Sequence, residues 1–181
     1  MRINWQMFSG EFSDDLCDSI IENFSKLPEI EATTFNGNED HRKSKVRWVS
    51  GENGIKSHLM HYVNQANAHA FQVDIANIVT ELQFTEYDAE HGGYYKSHHD
   101  IDWQASASYD RKLSIVVQLS DPETYKGGEL SFSEVQNPIR SDLRKRGTII
   151  VFPSYLQHEV SPVTEGTRYS LVSWVWGPRW K

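Results

Sequence analysis

Between residues 81 and 176 the chain is written in short runs of β-branched and aromatic residues, each soon broken by Gly, Asp, Pro or Asn. Such runs are too short for stable helices, and their side chains suit a half-buried pleated surface. Strands are expected at 81–88, 94–101, 112–120, 129–133, 147–152, 157–161 and 167–176. A set of short strands presents many unpaired edges, and closing into a barrel or folding into two layers is how chains remove them.

The first 79 residues have a different texture. Ser13 is a suitable N-cap, Asp14 and Asp15 put negative charge in a first turn, and Leu16, Ile20, Ile21, Phe24 and Leu27 recur at helical spacing. Residues 51–54 read as a turn, after which Ile55, Leu59, Tyr62, Val63, Ala66 and Ala70 mark a second amphipathic helix. Between the helices, residues 33–45 are polar and turn-rich, a long loop ahead of a short strand at 46–49. That loop and the polar stretch 104–110 are candidate lids. The expected fold is mainly β (α+β): a double-stranded β-helix (jelly-roll, cupin-like) barrel with N-terminal helices packed on one sheet.

A chain of 181 residues can bury a core as a single domain, here 1–79 as helical support with a first strand and 80–177 as the jelly roll. The lone cysteine, Cys17, sits in a helical pattern and reads as a small buried hydrophobe. The opening MRINWQMFSGEF has neither the apolar core of a signal peptide nor the Arg- and Ser-rich character of a transit peptide. Apolar runs such as 149–152 fall far short of the ~20 residues that span a bilayer. An intracellular, cytoplasmic and soluble protein without a membrane partner is expected. Net charge is −7, and the basic stretch 140–146 is short, so nucleic acid is not an expected partner.

In Tyr95-Lys96-Ser97-His98-His99-Asp100, His98 and Asp100 are one residue apart, and alternate side chains of a strand share a face. An imidazole and a carboxylate aimed at one point supply two metal ligands. A histidine from another strand completes a facial triad with open positions, and His158 is the candidate. Taken alone, a His-x-Asp pair is more simply a surface polar pair or a buried hydrogen bond. His99 points the other way and reads as structural, with Asp102 a candidate outer partner of the site. In HEVSPVTEGTRYSLVSW a turn at 164–166 sends Arg168 back past His158, with Ser170 on the same face. A buried arginine needs a partner, and a ligand carboxylate would supply one bidentately. Trp174 and Trp176 alternate with Val175 and read mostly as core.

Tyr87, Gly92, Gly93 and Tyr95 ahead of His98-x-Asp100 resemble the prolyl 4-hydroxylase-like branch of the Fe(II)- and 2-oxoglutarate-dependent oxygenases. The resemblance continues through Arg111-Lys112-Leu113-Ser114, Val116, Gln118 and Leu119, then Gly127-Gly128-Glu129-Leu130. It closes with Phe152-Pro153, His158, Pro162-Val163, Gly166, Arg168 and Ser170. It covers residues 80–177, while Val46-Arg47-Trp48 resembles the strand that precedes the barrel in that family.

The resemblance implies Fe(II) on His98, Asp100 and His158, with 2-oxoglutarate chelating it through the 2-oxo and C1-carboxylate oxygens. Arg168 would pair with the C5 carboxylate beside Ser170, helped by Tyr87 or Tyr95. One extra residue near His91 leaves the choice of tyrosine open. Dioxygen as co-reactant, ascorbate as reductant and release of succinate and CO2 are implied as well, and Asp100 favours hydroxylation over halogenation. The implied substrate is a prolyl residue in a peptide or protein, with Trp48 and Trp103 as candidates to stack on its ring. A small molecule or free amino acid is the alternative, Arg47 then taking its carboxylate. A metal- or sugar-binding jelly roll without redox chemistry would have no use for Arg168. A nucleic-acid demethylase would carry a second arginine nearer to it than Arg179.

Overall fold

The structure is a computed structural model that describes residues 3–31, 41–50, 54–76 and 81–181. Its strands are β1 (Gln6–Phe8), β2 (Ile30–Glu31), β3 (Arg42–Lys43), β4 (Lys45–Val49), β5 (Leu82–Asp88), β6 (Tyr94–His98), β7 (Tyr109–Gln118), β8 (Tyr125–Gly127), β9 (Leu130–Phe132), β10 (Ile149–Pro153), β11 (His158–Val160) and β12 (Val163–Pro178). The helices are α1 (Asp14–Phe24), α2 (Gly54–Ala66) and α3 (Arg140–Arg144). A large antiparallel sheet runs β1-β10-β7-β12-β5-β4-β2, with β8 on the start of β12, and a small sheet runs β3-β6-β11-β9.

The period of two settles which way each strand faces. Leu113, Ile115 and Val117 of β7, Ile149 and Val151 of β10, Leu82 and Phe84 of β5 and Leu171 and Val175 of β12 join the core beneath the helices. Their alternates Val116, Ile150 and Phe152 meet Phe132 and Val160 of the small sheet, forming a second core between the sheets. The expected two-layered jelly roll with helices on one sheet is the fold observed.

α1 is capped as its sequence predicts, the Ser13 hydroxyl accepting from the Leu16 amide at 3.2 Å, and it buries Cys17 and Ile20. Burial pushes the Cys17 thiol up to about 11, which makes it an inert core group. The second helical pattern ends earlier than its periodicity suggests. The Asn67 amide accepts from Val73 N and donates to Val73 O, both at 2.9 Å, so Asn67–Phe71 widens into a π turn closed by Gln72 at φ 52. β1, β2 and β8 are too short to show a period and were not expected. Residues 33–40 of the first candidate lid lie outside the described residues, whereas Arg42–Lys43, expected as loop, forms β3 against Tyr94 and Tyr95. No helix among the described residues is long and apolar enough to cross a membrane.

Leu59 of α2 is fully buried against the outer face of the large sheet. Leu59→Ala is expected to cost about 2–5 kcal/mol in chemical denaturation, with retained affinity for site ligands, because it removes contacts on the face opposite the cavity described below.

Candidate metal centre

His98 closes β6 and His158 opens β11, and the two residues sit directly opposite each other in register. Each Nδ1 lies on the backbone carbonyl two residues earlier, His98 on Lys96 O at 2.8 Å and His158 on Leu156 O at 2.9 Å. Such a bond places the ring proton on Nδ1 and leaves the Nε2 lone pair facing inward. Both Nε2 atoms face Asp100, His98 toward Oδ1 at 3.6 Å and His158 toward Oδ2 at 3.5 Å. These are longer than hydrogen bonds. One donor atom from each of the three residues lies within 4.8 Å of the others.

Burial pushes the His158 imidazole down to about 4, so it is neutral near pH 7. Burial alone would raise the Asp100 carboxyl, but the imidazoles of His158 and His98 hold it well below the usual carboxylate range. Two imidazole nitrogens and a carboxylate converging on one point fit a hard or borderline divalent ion bound on one side only. Among the described residues this is the one His/Cys/Asp/Glu group that comes together in this way.

Asp100 reaches the triad by a different route from the expected one. β6 ends at His98, so strand alternation does not aim Asp100. Its amide donates to Ser154 O at 3.0 Å and its Oδ2 accepts from the Ser114 hydroxyl at 2.6 Å. His99 is structural as expected, its Nδ1 on Tyr155 O at 2.7 Å. Asp102 is not an outer partner of the site: its Oδ1 caps a local turn by accepting from Gln104 N.

The triad opens into a cavity of about 250 Å³ that Arg168 also lines. Arg168 is only 2% exposed. Its Nη2 donates to Gln118 Oε1 at 2.9 Å, while its buried Nη1 has no hydrogen-bond partner among the described residues. Burying half of a guanidinium unpartnered costs several kcal/mol, which an anionic ligand would offset. Gly128, at φ +61, makes the space: a Cβ there would come within 2.9 Å of Arg168 Cδ. This buried donor fits a dicarboxylate whose far end lies at Arg168.

Tyr87, Tyr95 and Ser170 line the same cavity. Tyr87 pairs in register with Arg168, whose Cζ lies 5.4 Å from the phenol ring. Tyr95 instead stacks on His98 with ring centroids 3.5 Å apart, beneath the Arg42 guanidinium at 4.5 Å. The extra residue near His91 is absorbed by the β5–β6 turn, where its amide and Nδ1 both reach Asp88 Oδ1.

Two candidates for substrate contact are corrected. Trp103 is 57% exposed and does not line the cavity. Arg47 faces the opposite side of β4, paired with Glu86 and Glu29 over Phe84. Trp48 does line the cavity, and Trp174, expected mostly as core, does so too with its buried Nε1 unpartnered among the described residues. Arg42 and Arg111 complete that wall, Arg111 stacked on Trp174 at 3.9 Å. Nothing in the sequence marked Arg42, because it sits in a polar stretch with no periodicity. Arg111 lay in a motif already singled out, on an odd-numbered rung out of phase with the cavity-facing residues of its own strand, and the register shift opposite it at Val175/Trp176 is what that alternation does not encode.

A family model described as the 2OG-Fe(II) oxygenase superfamily matches residues 82–176, a little over half of the chain. A PKHD-type hydroxylase of Rippkaea orientalis is 30% identical over 134 residues, 74% of this chain and 57% of that protein. A PKHD-type hydroxylase of Prochlorococcus marinus is 38% identical over 84 residues, 46% of this chain and 37% of that one. The chain thus spans about half the length, or less, of these curated relatives. In fold it is similar to the viral collagen prolyl hydroxylase of Paramecium Bursaria Chlorella virus-1, with TM-score 0.72, 21% identity and 97% of each chain covered. It is similar as well to a prolyl hydroxylase of Trichoplax adhaerens in complex with a hypoxia inducible factor peptide fragment, with TM-score 0.73, 14% identity and 96% and 84% of the two chains covered.

Proposed function

The chain belongs to the 2OG-Fe(II) oxygenase superfamily, and from that premise we propose that it is a 2-oxoglutarate-dependent dioxygenase that hydroxylates an unactivated C–H, the substrate being a prolyl residue within a peptide or protein. The observation that carries the oxygenase reading is one cavity joining the His98, Asp100 and His158 donors to a buried, half-partnered Arg168. A structural metal site or a sugar pocket has no use for that guanidinium.

In this reading His98, Asp100 and His158 hold Fe(II). Arg168 takes the C5 carboxylate of 2-oxoglutarate, with Tyr87 and Ser170 on the same wall. Tyr95, flat against His98, keeps that ring from swinging, and burial pushes its phenol up to about 12, so it stays a neutral donor. Iron and 2-oxoglutarate together supply the oxidising power: dioxygen is consumed, 2-oxoglutarate becomes succinate and CO2, and the substrate C–H becomes C–OH. Ascorbate is the proposed reductant for iron that has gone out of cycle. The residues of this chain contribute ligand geometry, a dry cavity and the aim of the substrate.

The substrate reading rests on the charge of the wall. Among the described residues that line the cavity, Asp100 is the one carboxylate, and the triad already uses it. A free amino acid would bring an ammonium group with no acid to receive it. An internal peptide residue brings carbonyl acceptors for Arg42, Arg111 and the Trp174 indole N–H. The rings of Trp48 and Trp174, 6.2 Å apart, offer flat apolar faces to a pyrrolidine. Two fold neighbours are named prolyl hydroxylases, one of them holding a peptide.

Proline-containing peptides and free proline, each incubated with protein, Fe(II), 2-oxoglutarate and ascorbate, should part company by mass spectrometry. Gain of one oxygen on a peptide, with an equal amount of succinate, is the expected result. Oxygen gain on the free amino acid alone would replace the peptide reading with the small-molecule one.

A further inference from the structure

Resting on the iron reading above, the geometry points to Ser114 as a positioning residue that fixes the Asp100 carboxylate so that one oxygen, Oδ1, is presented to the metal while Oδ2 is kept occupied. Ser114 lies on the cavity-facing side of β7, on a strand otherwise dominated by aliphatic side chains, and is fully buried. A buried hydroxyl must find partners. Ser114 donates to Asp100 Oδ2 at 2.6 Å and meets the Ser154 hydroxyl, also fully buried, at 2.9 Å.

The arrangement reaches further than one bond. The Ser154 carbonyl accepts the Asp100 amide at 3.0 Å, and Ser114 pairs with Phe152 on the neighbouring strand β10. Asp100 is thus held at its backbone by one serine and at one carboxylate oxygen by the other. This matters because Asp100 lies beyond the end of β6 and has no ladder of its own to aim it. With Oδ2 engaged, the carboxylate is disposed to give the metal a single oxygen. A carboxylate free to swing could donate both oxygens and close a position that 2-oxoglutarate or dioxygen needs.

The chemistry separates hydroxyl from volume. Ser114→Thr keeps the hydroxyl, and Ser114→Val has the shape of threonine without it, so the pair differs in that group alone. Each variant, with wild type, is titrated anaerobically with Fe(II), then with 2-oxoglutarate while the visible charge-transfer absorption of the chelated 2-oxo acid is followed. Ser114→Thr should stay close to wild type. Ser114→Val should bind Fe(II) about 10–100-fold more weakly, the usual effect of losing an outer partner of a ligand, and give a weakened or displaced absorption band. Thermal melting of the metal-free proteins should place the two variants together.

Equal Fe(II) affinity and equal absorption for threonine and valine would overturn the inference, whether both match wild type or both fall below it. In the second case the packing of the site, not the hydroxyl, sets the geometry. Wild-type protein that takes up no Fe(II) would instead refute the iron reading itself, and this inference with it.

Discussion

His158→Ala is expected to abolish 2-oxoglutarate turnover and to weaken Fe(II) binding by more than about 100-fold, since even partners outside the ligand shell cost 10–100-fold. His158, proposed as a ligand, is held by the fold on several sides. It pairs with His98 on one side and Phe132 on the other, its Nδ1 is tied to Leu156 O, and its ring packs against Phe152 at 4.8 Å. Alanine leaves those backbone pairings intact, so the fold should survive with a small cavity beside Phe152. Fe(II) titration and succinate release, run beside a thermal melt, separate loss of metal from loss of fold. Fe(II) affinity equal to wild type would remove His158 from the site.

Arg168→Ala should fail in a different way. A guanidinium stays protonated and offers no acceptor lone pair to a metal, so Fe(II) should bind as in wild type. The 2-oxoglutarate requirement should rise about 100-fold, equivalent to about 3 kcal/mol, because a buried charge-assisted pair is lost. Arg168→Lys should recover only part, since an ammonium cannot reproduce the planar fork that meets a carboxylate with two bonds. The melting temperature of the protein without ligands should hold or rise, because the variant removes a guanidinium whose Nη1 is buried without a partner among the described residues. The measurements are the 2-oxoglutarate concentration giving half-maximal succinate release and the thermal shift that 2-oxoglutarate produces. An unchanged requirement would mean that another group holds the far carboxylate.

Ser114→Val and Arg168→Ala are predicted to separate cleanly, the first acting through iron and the second through the cosubstrate. Their side chains nevertheless belong to adjoining strands of one sheet, β7 and β12, with Ser114 opposite Trp174 and Gln118 opposite Ser170. One sheet therefore carries Ser114, which holds Asp100 Oδ2, and the groups proposed to receive the dicarboxylate, while the small sheet carries the two histidines. The cavity is the space between them.

Much of this was legible in the sequence, for a physical reason. The period of two in 112–120 and 167–176 is a direct imprint of a sheet with a helix-covered side and a cavity side. Leu113, Ile115 and Val117 alternate with Ser114, Val116 and Gln118, and the first set lies under the helices. His98 and Asp100 stood out by their spacing, His158 as a third candidate on another strand, Arg168 by the turn that returns it past His158, and the ordered family resemblance joined the four. Spacing and turn chemistry are local constraints and so are written locally.

The rest depended on groups brought together from distant parts of the chain. Asp100 stands outside any strand and is aimed by Ser114 and Ser154, contacts of long sequence separation that no periodicity encodes. Arg42 enters the cavity only because a two-residue strand pairs with Tyr95, and Arg47, five residues on, is turned to the far side by the pleat of β4. Trp103 and Trp174 look alike as letters, yet one lies in an exposed loop and the other on the cavity wall. The sequence by itself determined which chemistry the chain could hold, because that follows from residue types and their spacing along single strands. Only the tertiary structure decided which cations and rings share the cavity with the triad, because edge pairing and loop docking balance many weak contacts that single residues do not reveal.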